Sequence, residues 1–415
     1  MTTPNTLPTL LSWGRGADST AIIVGFLEDP TAYGLRADLS DLTIVTACTG
    51  DEWPAVDDLA ERLVLPLLRR ANVRLVQIAR GGPSDTDGIV VLDDSRQPYR
   101  LHRRGPWALS DELRTSGTVP QFAQGRRTCS IKFKGWPLDR WAAAEFGGAP
   151  YRHVIGYEYD EQQRADRDET YTGTGRVPWY PLIEWGWTRR HVQRYLRAEL
   201  GIAEYPKSYC AECCFPESAD SLPAHLGRLR EYPELAAAVL VMERVAMSLN
   251  PNSTLFKNRS LLGLIEEDDN AAALAQFERE LTSGESAVYD VRRIVFPRRT
   301  TWCRERHGKS CRTPGADCRD PEAKGVAWRS VRQVFVGSPD AAAARLHASA
   351  AERGRPVTTK DGISRVQYAE RGRLYPTYEG FLVAAPAVVR DKQRAGFEQA
   401  WDDATGKPRL RLLGL

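Results

Sequence analysis

The chain has 415 residues, a formal net charge of +3 and a hydrophobic fraction of 42%. It is too long for one core of ordinary size and has apolar residues enough to build two or three. Negative mean hydropathy, with no run near the roughly 20 uninterrupted apolar residues of a spanning helix, argues against a membrane protein. Met1 to Pro8 carry neither the basic start nor the apolar run of a secretory leader, so a cytoplasmic location is expected. The small net charge permits nucleic-acid contact without requiring it. Local basic runs at Arg100–Arg104, Arg126–Arg127 and Arg292–Arg299 suit either a solvated surface or clustered phosphate contacts.

In chain order, Thr9 to Trp13 reads as a short strand, followed by a glycine-bearing turn and a helix from Thr20 to Leu27. Leu42–Ala47 and Val73–Ala79 are β-branched apolar runs of strand type, and Pro54–Ala71 between them has helical apolar spacing. Strands alternating with helices predict a largely parallel sheet. Arg80–Gln124 reads as an irregular loop or lid with a short helix near Leu109, Gly135–Phe146 as a helix and Tyr151–Tyr157 as a returning strand. Beyond Pro216 helices are predicted at Leu222–Leu229, Glu234–Leu249 and Asn270–Leu281. A Cys- and Arg-rich segment at Trp302–Pro321, a helix at Asp340–Arg353 and a partly extended tail follow. The expected division is a nucleotide domain over 1–216, a helical extension over 217–300, and a Cys- and Arg-containing region over 301–415 to which no role attaches.

Ser12-Trp13-Gly14-Arg15-Gly16-Ala17-Asp18-Ser19 sits between a strand and a helix, where an open α/β sheet places its ligand. Glycines let backbone N–H groups approach a phosphate, and the hydroxyls of Ser12, Ser19 and Thr20 add donors. A Walker loop is excluded, because no Gly-Lys-Ser/Thr ending follows.

These residues resemble the pyrophosphate loop of the N-type ATP pyrophosphatases, in the form found in phosphoadenosine phosphosulfate reductase-like proteins. Four later segments fit the same resemblance: Cys48-Thr49-Gly50-Asp51-Glu52-Trp53-Pro54; Arg127-Thr128-Cys129-Ser130 with Lys132 and Lys134; Ile155-Gly156-Tyr157 with Asp160, Glu161 and Arg164; and Tyr180–Ile183 through Trp187-Thr188-Arg189 to the closing cysteines. It implies an adenine nucleotide alpha-hydrolase-like (Rossmann-like) α/β fold, a mostly parallel sheet flanked by helices, here with a mainly helical C-terminal extension. It further implies that Ser12, Gly14, Arg15, Gly16, Asp18, Ser19, Thr20, Thr49, Gly50, Gly156, Asp160 and Glu161 surround ATP and Mg²⁺. Asp18, Ser19, Lys132 and Arg164 become the expected catalytic residues. Trp13 and Arg15 among the glycines depart from the family pattern, and Arg15 could meet phosphate or point to solvent.

Of eight cysteines, six fall into two groups, which in a cytosolic chain favours metal or catalysis over disulfides. Cys129 with Cys210, Cys213 and Cys214 is similar to the cluster arrangement of adenylyl-sulfate reductases, which implies a [4Fe-4S] cluster; zinc or free thiols are the other readings. The family's adjacent first cysteines are replaced here by Thr128-Cys129. Cys303, His307, Cys311 and Cys318 offer three thiols and an imidazole, a donor set suited to Zn²⁺.

Three functions are compatible with these features. One is ATP-dependent sulfur transfer to a nucleic acid or small molecule, supplied by a sulfur-donor protein such as a cysteine desulfurase, as in DNA phosphorothioation and tRNA thiolation. A second is sulfonucleotide reduction, whose cysteine-bearing tail is missing from Arg411–Leu415. A third is a non-catalytic nucleotide-binding subunit of a modification or defence system. No membrane partner is expected.

Overall fold

Alternating apolar residues in the early strands point to opposite faces of one sheet, and both faces are covered. In the computed structural model, which describes residues 7–120, 122–123, 126–170, 175–257, 259–308, 311 and 315–406, the chain divides into two compact units. The first comprises Met1–Glu112 and Pro120–Cys214, and the second Leu113–Val119 and Phe215–Leu415. The terminal stretch Arg411–Leu415 lies outside the described residues.

The first unit is built on β1 (Thr9–Ser12), β2 (Leu42–Cys48), β3 (Arg74–Arg80), β4 (Ile89–Ser95), β5 (Tyr151–Val154) and β6 (Arg176–Trp179). Their order across the sheet is β4-β3-β2-β1-β5-β6. All neighbours are parallel except β3 and β4. The unit's longer helices are α1 (Ala17–Glu28), α2 (Pro54–Arg70), α4 (Trp136–Phe146), α5 (Gln162–Glu169) and α6 (Arg189–Leu200), while α3 (Leu109–Ser116) is divided between the two units. Leu11, Ile44 and Leu75 face a core shared with α1, α2 and α6. Their neighbours Leu10, Val45 and Val76 face Trp141 and Ala142 of α4. Burial on both faces is what a parallel sheet requires and what the apolar runs encode. The α/β expectation is met, and β4 replaces part of the loop expected over Arg80–Gln124.

The second unit departs from a mainly helical reading. After α7 (Leu222–Glu231), α8 (Pro233–Leu249), α9 (Leu261–Glu267) and α10 (Ala271–Ser283) comes an antiparallel sheet. Its strands are β7 (Ser286–Arg299), β8 (Arg319–Gly337), β9 (Val357–Lys360), β10 (Ile363–Ala369) and β11 (Thr377–Pro386), in the order β8-β7-β11-β10-β9. Residues 286–299, expected inside a helical extension, form an interior strand of this sheet, between β8 and β11. The sequence there, Ala287-Val288-Tyr289 with Val291, Ile294 and Val295, is apolar and β-branched and buried at most positions. α12 (Pro339–Arg353) packs Ala342, Leu346 and Ala350 onto Val288, Val366 and Leu382 of this sheet.

Glu243 of α8 is 1% exposed and accepts the backbone N–H groups of Leu255 (2.7 Å), Leu261 (2.8 Å) and Leu262 (3.2 Å). Glu243→Ala strands two buried donors and a partly buried one, at a cost of about 3 kcal/mol. Amide hydrogen exchange at Leu255, Leu261 and Leu262 should then accelerate together, and the urea midpoint should fall.

Candidate functional site

The strand order reverses between β1 and β5, since β2 and β3 lie to one side of β1 and β5 and β6 to the other. Chains leaving the carboxyl ends of strands at such a switch point diverge and open a crevice. Here the two departing segments are Trp13–Gly16 after β1 and Ile155–Glu158 after β5, and the second comes up against the first turn of α1. A Cβ added to Gly156 would stand 2.9 Å from the Ser19 nitrogen and 3.2 Å from the Asp18 carbonyl carbon, so a residue without a side chain is required there.

α1 begins at Gly16, which is extended (φ −90°, ψ 171°) and supplies no side-chain cap. The amides of Ala17, Asp18 and Ser19 therefore have no acceptor within the helix, and the helix dipole favours an anion in front of them. The loop is tied in shape: Gly14 N donates to Ser19 Oγ (3.3 Å) and Ser208 Oγ donates to the Gly14 carbonyl (2.6 Å). Ser208 was not expected; its only sequence signal is its place two residues before Cys210.

Ser12 is oriented by a buried relay. Arg176 Nε donates to His153 Nδ1 (2.7 Å), so the ring proton resides on Nε2, which donates to Ser12 Oγ (2.7 Å). Burial, then the nearby Arg176 charge, pushes His153 down to about 3, and the ring stays neutral. Arg176 pairs with Asp168, which also accepts from the Tyr180 hydroxyl (2.7 Å).

Asp18 faces the same crevice edge. Its carboxylate accepts from Arg189 Nη1 at 2.8 Å, and the same nitrogen lies 3.6 Å from Glu158. Glu158 is raised to about 8, first by burial, then by its hydrogen bond to Asp18 and by that residue's charge. The acid beside Asp18 is thus Glu158 rather than Asp160 or Glu161. Asp160 is exposed, and Glu161 is engaged by Arg164 and by the Glu158 backbone N–H (3.3 Å).

Several expected contacts are corrected. Arg15 meets neither phosphate nor solvent. Its φ is +58°, which turns a 1%-exposed side chain inward. The guanidinium there binds Asp57 (2.9 Å), lies 3.6 Å from Glu52, and donates to Thr46 Oγ1 (3.2 Å) and the His102 carbonyl (3.2 Å). Thr20 is fully buried and its hydroxyl accepts from the Trp13 indole (3.0 Å). Thr49 is buried with its hydroxyl 3.3 Å from Cys210 Sγ. Gly50 has φ +93°, and a Cβ there would lie 2.4 Å from that of Ala108; it permits close packing. Lys132 pairs with Glu112 (2.7 Å), Lys134 with Glu52 (3.0 Å), and Arg164 lies 4.5 Å above the Tyr157 ring while pairing with Glu161.

The closing cysteines are stitched to the Thr49–Glu52 segment: Ala211 N donates to Asp51 O (2.9 Å) and Cys210 bridges Glu52. Cys214 is pushed up to about 11 by burial, then by the Cys213 and Cys129 charges. Cys210 is raised by burial, then by the Glu52 charge, which Lys134 opposes. Among the described residues, no three of these four sulfurs lie within 4.8 Å of one another, which is wider than tetrahedral zinc allows. Cys303, Cys311 and Cys318 do form such a group and could hold a metal ion; His307 is not among them.

Compared with family models, curated proteins and solved structures, the chain matches none. Its candidate site therefore stands on geometry.

Arg15→Met would leave Asp57 and Glu52 buried without their shared cation, costing about 3–5 kcal/mol, measurable as a lowered denaturation midpoint. For Glu158, the folded-state value of about 8 lies above the ordinary 4.5. Its contribution to stability is therefore fully present below pH 4.5 and is lost as pH climbs toward 8. Glu158→Gln removes that slope, so in chelator-treated, ligand-free buffer its melting temperature should gain on the wild type steadily across this window.

Proposed function

We propose that the crevice between β1 and β5 holds the triphosphate of ATP, and that the chain is an adenylyl-activating enzyme of the ATP pyrophosphatase kind. Transfer of sulfur to a nucleic-acid or small-molecule acceptor is the reaction class that best accommodates the cysteines beside the site. One observation carries the reading: an uncapped helix start at the sheet's switch point, with the carboxyl groups of Asp18 and Glu158 side by side at its first turn.

Either half alone is ambiguous, and the two together favour an anion bound along with a cation. Bare amides attract an anion, while two acids at the same spot repel one unless a cation stands between. Asp18 and Glu158 are hard oxygen donors that fit Mg²⁺, which when bound neutralises phosphate charge. The protein's own contribution is positioning. Ala17, Asp18 and Ser19 present amides, Ser19 and the relay-held Ser12 present hydroxyls, and Ser208 fixes the Gly14 carbonyl away from the anion. Arg189 keeps positive charge beside the acids. An acceptor oxygen attacking the α-phosphate expels pyrophosphate and leaves an adenylated acceptor, and dispersed donors of this kind stabilise the charge that develops. Lys132 and Arg164, paired with Glu112 and Glu161, would act on phosphate only by leaving those acids.

The lack of a tight sulfur trio among Cys129, Cys210, Cys213 and Cys214 favours an iron–sulfur cluster over zinc, because cubane ligands stand farther apart than the corners of a zinc tetrahedron. Such a cluster, when bound, would supply an iron site at which sulfur can be held.

ATP binding in the presence of Mg²⁺, followed by calorimetry, and pyrophosphate release with DNA or tRNA as acceptor test the reading. Asp18→Ala and Ser19→Ala should each lower pyrophosphate release by about a hundredfold or more with an unchanged circular dichroism spectrum. Undiminished release would refute the loop assignment, and sulfite release from a sulfonucleotide would replace sulfur transfer by reduction.

A further inference from the structure

The second unit carries a metal-type donor set that the nucleotide chemistry does not use. Cys303, Cys311 and Cys318 place their sulfur atoms within 4.8 Å of one another, with Cys303 and Cys318 buried. We propose that these three thiolates bind a zinc ion that closes the outer end of the β7–β8 hairpin, with the fourth coordination position left to an exchangeable ligand.

Spacing selects the metal. Zn–S bonds of about 2.3 Å in a tetrahedron put sulfurs about 3.8 Å apart, and Cys311 and Cys318 are 3.9 Å apart. Thiolates on the separate corners of an iron–sulfur cubane are held wider than this group allows. A disulfide is the rival, but it needs the two sulfurs at about 2.05 Å, and all three cysteines are free.

The hairpin needs a staple where the cysteines sit. β11 pairs with β7 only from Ser286 to Val295. Outward from there, β7 and β8 pair only with each other among the described strands, with register shifts between Asp320 and Lys324 and again before Ala327. A two-stranded ribbon is marginal in water, and a segment too small to build its own core is commonly held by metal or disulfide. The surrounding bonds prepare the site. Thr300 caps α11 (Thr301–His307) by accepting from Cys303 N (3.1 Å), and its hydroxyl donates to the Asp317 carbonyl (2.7 Å). Its backbone N–H reaches the Cys318 carbonyl (3.2 Å), bringing the first and last ligands together. Arg299 donates to Cys303 Sγ from Nε (3.3 Å) and Nη2 (3.2 Å), the kind of outer support that orients a metal-bound thiolate.

The fourth position has no ligand in the group. His307 lies one turn past Cys303 on α11, but it is exposed and its ring rests 5.9 Å from that of Trp302. Lys309, Ser310, Arg312, Thr313 and Pro314, outside the described residues, include no Cys, His, Asp or Glu.

Metal analysis of the full chain, purified under reducing conditions without chelator, should find stoichiometric zinc. Cys311→Ser and Cys318→Ser should lose it, while His307→Ala and Cys213→Ser should retain it. Because a cysteine variant could misfold, maleimide labelling of the wild type provides an independent readout. Cys303, Cys311 and Cys318 should resist labelling until a chelator is added, and then react together. A zinc-free protein, or a Cys311–Cys318 disulfide by mass spectrometry, would overturn the proposal. Loss of zinc from His307→Ala would overturn the exchangeable fourth position.

Discussion

The loop after β1 depends on one buried cation. Arg15 reaches from the loop beneath its own glycines to Asp57 on α2, Thr46 on β2 and the His102 carbonyl, so three separate segments are fixed relative to it. A guanidinium suits this because its planar fork can satisfy several acceptors at once without losing its charge. Burial opposes the charge, and the adjacent Glu52 and Asp57 outweigh it, so the group is held cationic well above its ordinary range. The left-handed backbone at Arg15 carries a strain of order 1–3 kcal/mol for a non-glycine residue, which these bonds offset. Lys134 extends the network through Glu52 at 3.0 Å, and Glu52 in turn bridges Cys210 in the closing cysteine segment. Loop, second strand and cysteines are therefore mechanically one object.

Above that foundation the polar groups divide by charge state. His153 is held neutral by burial and Arg176, so it gives Ser12 a hydrogen bond without bringing positive charge to the crevice. Asp18 and Arg189 form the charged part, with Glu158, raised to about 8, beside them. Glu158 is raised first by burial and then by its hydrogen bond to Asp18 and that residue's charge, and a cation beside the two carboxyl groups would lower it again. Gly156 makes the arrangement possible, because the Ile155–Glu158 turn can press against the first turn of α1 only where no Cβ intervenes.

Much of the first unit was legible because its strands are continuous apolar runs and its helices have amphipathic spacing, and both patterns follow from burial on known faces. β4 was missed because Ile89–Ser95 is an edge strand ending in Asp93, Asp94 and Ser95, a composition that protects an edge but reads as loop. β7 was absorbed into a helical extension because its Arg292-Arg293 and Arg298-Arg299 pairs mask the alternation. Arg292 is in fact paired to Glu398 on the helix Phe397–Thr405, and Arg293 to Glu379 on the neighbouring strand. At the site, glycines and Asp18 were readable from local order. The inward turn of Arg15 was not, since its partners lie 31 and 42 positions away. Glu158 was passed over in favour of two acids closer to Arg164, a choice that only the meeting of the β1 and β5 loops could decide.

The two cysteine groups show why count alone does not name a metal. Each offers three thiols in a short stretch, the first with Cys129 added from far upstream, yet one set has no three sulfurs within 4.8 Å and the other has all three. Coordination geometry converts that difference into chemistry, because sulfur separation is set by the metal–sulfur bond in a single-ion site and by the size of the whole cluster in a polynuclear one. The wider group is tied to the Thr49–Glu52 segment and thus to the candidate nucleotide loop, where sulfur chemistry would be useful. The tighter group ends a hairpin whose outer strands, among the described strands, pair only with each other, where a rigid crosslink would be. Each arrangement suits what its surroundings lack, which a spacing pattern in the sequence could not have distinguished.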